Sequence, residues 1–187
     1  MKKIILFGDS ITAGYKHGEI NVILNDKIRH LLPYEAEIIN AGIPGDTTSG
    51  AMKRVMDHVV GYEPDMVTVF FGANDVAALS GISLAQYETN LMNLVEVIGS
   101  DRVILLGPPF ANQVLYQQER PLLRLNQYNQ AARRVAAYYE LPYIDMLSVM
   151  TDAERPVDYL QADGLHFSTT GYDLLARVIV EQLKGRS

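Results

Sequence analysis

Residues 2–12 read Lys2-Lys3-Ile4-Ile5-Leu6-Phe7-Gly8-Asp9-Ser10-Ile11-Thr12. An apolar run that stops abruptly at Gly-Asp-Ser is the pattern of a short strand covered on both faces and ended by a tight polar turn. Beyond the first run, at residues 3–7, four more occur at 36–40, 66–71, 103–106 and 143–144, each short and most of them apolar throughout. Between them lie stretches with apolar residues at helical spacing: residues 21–32, 51–60, 84–98, 122–139 and 172–183. In the first, Val22, Leu24, Ile28, Leu31 and Leu32 carry the period; Thr169 or Thr170 is the expected cap of the last. Strand followed by helix, five times over, predicts an α/β fold with a parallel sheet between two helical layers. Right-handed crossovers make this a three-layer α/β/α sandwich with a five-stranded parallel sheet. The expected strand order is the flavodoxin-like 2-1-3-4-5. No linker, repeat or low-complexity tract interrupts the rhythm, so one domain over residues 1–187 is expected.

The bulk composition agrees with a folded globular chain. It has 187 residues, 48% hydrophobic and 20% charged. A net charge of −6 and a pI near 5.2 offer no basic face for nucleic acid or an anionic membrane. With no cysteine, disulfides, thiolate metal sites and cysteine nucleophiles drop out. The apolar run after Lys2-Lys3 is too short for a signal core, and no run approaches a membrane span. The expectation is a soluble, cytoplasmic protein.

In open parallel sheets ligands lie beyond the carboxyl ends of the strands. Here those segments are residues 8–12, 41–46, 72–75 and 107–110, rich in glycine and in side chains that can exchange protons. Ser10 follows the first strand, where its hydroxyl would project from the sheet. Taken alone it reads more simply as a cap or turn residue, because a serine is a poor nucleophile until a base removes its proton. Of the four histidines, His17, His30 and His58 fall in polar or solvated positions. His166 differs: it sits in Ala162-Asp163-Gly164-Leu165-His166-Phe167, with a carboxylate three residues back and a glycine allowing a tight turn between them. Asp163 would then hold Nδ1 and leave Nε2 to take the serine proton; capping its own turn is the simpler alternative for Asp163 in isolation. An acyl-transfer site also needs donors for the developing oxyanion, each worth about 3–4 kcal/mol. The Ser10 amide, the Gly45 amide and the Asn74 side chain are candidates, although Gly45 and Asn74 each also read as turn residues.

Together these blocks resemble the GDSL-type acylhydrolases, the SGNH hydrolase family. Gly8-Asp9-Ser10-Ile11 resembles the family's first block, Gly45 within residues 41–48 the second, Gly72-Ala73-Asn74-Asp75 the third, and Asp163-Gly164-Leu165-His166 the last. The resemblance implies a carboxylic ester hydrolase, acting on esters and possibly thioesters with no metal or organic cofactor. It implies Ser10 as nucleophile, His166 as base, Asp163 as its orienting carboxylate, and Ser10, Gly45 and Asn74 as the oxyanion hole.

Two rival readings exist. A metal-dependent phosphoesterase would need Asp9, Asp75, Asp163 and His166 to gather as ligands, but such sites usually draw on more histidines. A binding module would lack chemistry, and neither G-x-G-x-x-G nor a P-loop is present to cradle a nucleotide. The expected ligand is a small ester of short or medium acyl chain. Its pocket is expected to involve Asp9, Pro44, Phe110, Val157 and Leu160, with Leu115 and Tyr116 nearby. Partners beyond the substrate are not expected: no nucleic acid, no stable membrane insertion, and a homo-oligomer only if apolar surface at Tyr138-Tyr139 serves one.

Overall fold

A computed structural model describes residues 1–185. The strands are β1 (Lys2–Gly8), β2 (Tyr15–Lys16), β3 (Glu19–Ile20), β4 (Ala36–Gly42), β5 (Met66–Phe70), β6 (Val103–Leu106) and β7 (Tyr143–Ile144). The α-helices are α1 (Ile23–Leu31), α2 (Thr48–His58), α3 (Leu84–Ile98), α4 (Gln113–Tyr116), α5 (Leu122–Tyr138), α6 (Met146–Thr151) and α7 (Thr169–Lys184). The main sheet runs β4-β1-β5-β6-β7, with every pairing parallel. Counting only its own strands in chain order, that is the expected 2-1-3-4-5. Helix α1 packs on α7, while α2 packs on α3 and α3 on α5, so helices cover both faces. No described helix is long and apolar enough to cross a membrane.

Burial explains the continuous apolar runs. Ile4, Ile5, Leu6 and Phe7 of β1, and Val67 and Val69 of β5, are all 0% exposed. Strands sandwiched on both faces have no solvent side to mark with polar residues, so alternation disappears. Helix starts differ from expectation where a cap sets them. Helix α2 begins at Thr48 rather than residue 51, because the Thr47 side chain accepts from Gly50 N. Helix α7 begins at Thr169, and its cap is Ser168, whose hydroxyl accepts from Gly171 N, rather than Thr169 or Thr170. The two-stranded hairpin β2–β3 was not expected. It turns through His17 (φ 53°) and Gly18 (φ 89°), a left-handed pair suited to a tight hairpin.

The strand ends close tightly on one another. Gly8 of β1 lies beside Gly42 of β4 in the ladder. A Cβ at Gly42 would sit 2.3 Å from Ala13 N and 2.8 Å from Asp9 O, both backbone atoms. A Gly42→Ala variant must therefore move the loop that carries Ser10. It is expected to lower stability by about 1–3 kcal/mol, read from its denaturant midpoint; an unchanged midpoint would contradict this packing.

Beneath those ends lie two buried acids. Asp9 is 2% exposed and Asp75 0%. Burial raises the Asp9 carboxyl to about 7, against the pull of its bond from Ile11 N, and Asp75 and Asp46 add to the rise. Burial likewise raises Asp75 to about 6, although Thr48 donates both its N–H and its hydroxyl to Oδ1. A carboxyl raised on folding keeps its proton where the unfolded chain has lost it. Its stability contribution is complete below the unfolded value of 3.8 and disappears as pH climbs through about 7. Asp9→Asn keeps the acceptor for Ile11 N but cannot ionise. Between pH 5 and 8 the wild type is expected to lose roughly 2–3 kcal/mol relative to this variant. Melting curves that stay parallel across that range would refute the buried-acid assignment.

Candidate active site

Ser10 stands two residues past the end of β1, on a turn built by its neighbours. Asp9 Oδ1 accepts from Ile11 N at 2.9 Å, Ala13 N donates to Asp9 O at 2.9 Å, and Tyr15 N donates to Ser10 O at 3.0 Å. The Tyr172 hydroxyl of α7 donates to Ile11 O at 2.9 Å and ties the turn to the far helix. These bonds fix the backbone on both sides of Ser10 and leave its hydroxyl pointed away from the core.

The partner comes from the other end of the chain. His166 Nε2 lies 2.9 Å from Ser10 Oγ, and His166 Nδ1 lies 2.8 Å from Asp163 Oδ2. The second carboxylate oxygen accepts from Leu165 N at 2.9 Å and His166 N at 3.0 Å. The turn between them needs Gly164, which has φ 73°. Burial alone would raise the Asp163 carboxyl, but bonds from Leu165 N and His166 outweigh it and hold it below the usual range. An ionised carboxylate can only accept, so Nδ1 carries the proton and Nε2 is free to accept from Ser10. A serine hydroxyl, an imidazole and a carboxylate thus stand in one hydrogen-bonded line, the arrangement that can draw a proton from the hydroxyl as it attacks.

Asn74 links the Gly45 loop to the Ser10 turn through Asp46 and Asp9. Asn74 Nδ2 donates to Asp46 O at 2.8 Å and lies 3.5 Å from Asp9 Oδ2, bridging segments far apart in sequence instead of capping a local turn. Gly45 has φ 79° in the turn closed by Asp46 N donating to Ile43 O, a position that Pro44 and a following glycine suit. Nothing lies within 4 Å of where a Gly45 Cβ would be. The glycine there answers a backbone conformation, and its N–H is on an exposed loop.

The remaining expected residues separate by burial. Asp9, at 2% exposed, points into the protein and serves the turn under Ser10. Phe110 at 9% and Leu160 at 7% belong to the core, Leu160 through its bridge to Phe167 beside His166. Pro44 and Val157 are exposed. His17, His30 and His58 are exposed too, and none joins the site. Among the described residues, no group of three or more His, Asp or Glu is placed to hold a metal ion; Asp163 and His166 bond to each other, while Asp9 and Asp75 lie buried elsewhere.

Three contributors gave no signal in the sequence. The Tyr15 ring lies 4.4 Å from the His166 ring, centroid to centroid. Gln161 Nε2 donates to Tyr15 O and Phe167 O. Arg54 of α2 donates to Asp46 Oδ2 at 2.7 Å, Ala41 O at 2.8 Å and Gly8 O at 3.0 Å, with its guanidinium 4.4 Å from the Phe7 ring. Each acts across the fold, so no local spacing announces it.

Comparison with known proteins gives the family. A solved lipase/acylhydrolase from Enterococcus faecalis superposes with a TM-score of 0.96 at 43% identity, covering 100% of this chain and 97% of its own. The human isoamyl acetate-hydrolyzing esterase 1 homolog is 30% identical over 198 residues, 92% of this chain and 77% of the relative. An acetylxylan esterase from Geobacillus stearothermophilus shares the fold, with a TM-score of 0.81 at 23% identity over 97% of this chain and 94% of its own. Residues 6–174 match the GDSL-like lipase/acylhydrolase family, and the chain belongs to that family of ester hydrolases.

Proposed function

We propose that this protein is a serine esterase for short-chain carboxylic esters, acetates foremost, working through an acyl-enzyme on Ser10. The observation that carries this is the unbroken line from Ser10 Oγ to His166 Nε2 at 2.9 Å and from Nδ1 to Asp163 at 2.8 Å. Ser10 Oγ attacks the ester carbonyl while its proton passes to His166 Nε2, and the C–O bond to the alcohol then breaks as that proton is delivered to the leaving oxygen. Water, deprotonated by the same nitrogen, attacks the acyl-serine; the acyl C–O bond to Ser10 breaks as His166 returns that proton to Oγ, and the acid leaves. The developing oxyanion is met by the Ser10 and Gly45 amides and by Asn74, whose amide is pre-oriented by its bond to Asp46 O.

The acyl preference rests on likeness. The human relative carries the name of an isoamyl acetate esterase, and the Geobacillus neighbour that of an acetylxylan esterase. One exposed apolar side chain favours a small hydrophobic alcohol over a sugar: Leu115 lies against Gly164 in the His166 loop.

The test is hydrolysis of p-nitrophenyl acetate, butyrate, octanoate and palmitate by wild type and by Ser10→Ala. Turnover is expected to peak at acetate or butyrate and to fall by about 10⁴-fold or more in the variant, at an unchanged melting temperature. Hydrolysis that survives Ser10→Ala would overturn the mechanism; a peak at octanoate or palmitate would overturn the acyl preference. Asn74→Ala is expected to lose 10²–10³-fold in kcat, on the order found for single oxyanion donors, with KM little changed. A loss confined to KM would remove Asn74 from that role.

A further inference from the structure

We infer that Tyr15 is a positioning residue that holds the His166 ring and stabilises its protonated form, an inference that rests on His166 acting as the base. The two rings are 4.4 Å apart between centroids and inclined at 46°. That is well inside the about 6 Å over which a cation is drawn to an aromatic face. The imidazole is cationic only after it has taken the Ser10 proton, so the attraction is strongest in the step that needs it. Asp163 supplies the opposite charge from the other side through Nδ1.

Tyr15 is held in place as firmly as the histidine. It opens the β2–β3 hairpin, and its N–H donates to Ser10 O at 3.0 Å, so the ring and the serine share one turn. Gln161 fastens the hairpin to the His166 loop: its Nε2 donates to Tyr15 O at 2.9 Å and Phe167 O at 3.1 Å, and its Oε1 accepts from His17 N at 3.1 Å. Gln161 N in turn donates to His166 O at 2.7 Å. On the hairpin, Lys16 is engaged by Thr169 Oγ1 and His17 is exposed. Asp9 lies buried under the Ser10 turn. The imidazole thus meets Ser10 Oγ at Nε2, Asp163 at Nδ1 and the Tyr15 ring, and of these Asp163 carries the charge.

The experiment compares wild type, Tyr15→Phe and Tyr15→Leu by pH profiles of p-nitrophenyl acetate hydrolysis and by NMR titration of the His166 imidazole. Tyr15→Leu is expected to move the His166 midpoint and the acid limb of kcat/KM down by about half a pH unit. It should also lower kcat several-fold at unchanged KM, whereas Tyr15→Phe, which keeps the ring, stays close to wild type in both. Gln161→Met, which releases the hairpin but keeps Tyr15, is expected to shift the midpoint in the same direction by less, and decides the matter if Tyr15→Leu fails to fold. An unmoved His166 midpoint in Tyr15→Leu and Gln161→Met, or a Phe variant as impaired as Leu, would overturn the inference. A wild-type rate profile that ignores the His166 midpoint would instead sink the assignment of His166 as base, and the titration would still report on the ring contact.

Discussion

The guanidinium of Arg54 joins the two strand ends on which the site depends. It donates to the last carbonyl of β1 at Gly8, to the penultimate one of β4 at Ala41, and to the Asp46 carboxylate in the loop between β4 and α2. Gly8 O also accepts from Ile43 N at 3.0 Å, so Arg54 adds a second, charged donor where the ladder between the two strands ends. A single planar cation, stacked on Phe7 and only 11% exposed with its partner Asp46 at 10%, satisfies several at once. The consequence is geometric. The Ser10 turn and the Gly45 turn leave from strand ends that one side chain keeps in register, and Asn74 completes the join by donating to Asp46 O.

Carboxylates play two opposed parts around this frame. Asp163 is partly exposed, has three backbone and ring contacts on its two oxygens, and stays ionised to orient an imidazole. Asp9 and Asp75 lie under the strand ends with neutral donors on Oδ1, Ile11 N for Asp9 and Thr48 for Asp75, and among the described residues Asp75 Oδ2 has no hydrogen-bond partner. Burial penalises the ionised form by more than these neutral bonds return, so the two acids hold their protons more strongly than ordinary ones. The same residue type thus supplies a fixed negative charge near the surface and, in the interior, acids whose carboxyls titrate well above the usual range. Depth and hydrogen bonding decide between the two.

The sheet was legible because it is covered on both sides. Runs such as Ile4-Ile5-Leu6-Phe7 and Val103-Ile104-Leu105-Leu106 have no solvent face, so their composition alone marks them, and even the two-residue β7 was placed correctly. The ends of helices were less legible because caps outvote the apolar period: Thr47 and Ser168 start α2 and α7 three residues before the period at Ala51 and Tyr172 does. The β2–β3 hairpin was missed since its strands are two residues long and carry no alternation to read. At the site, Ser10, Asp163 and His166 could be picked out because proton transfer restricts the residue types and Asp163 and His166 lie three apart. Arg54, Tyr15 and Gln161 act over long sequence separations, through contacts that only the folded chain creates. Asp9, expected in the substrate pocket, is instead buried, its carboxyl accepting from Ile11 N within the turn.

The central claim is that Ser10 Oγ, activated by His166, becomes covalently acylated. The most direct measurement is mass spectrometry of the protein after exposure to an alkyl phosphonofluoridate, which loses fluoride when an activated serine attacks phosphorus. A single adduct on the peptide containing Ser10, formed in step with loss of esterase activity and absent from His166→Ala, is the expected result. An adduct on a different residue, or full esterase activity in protein whose Ser10 is modified, would contradict it.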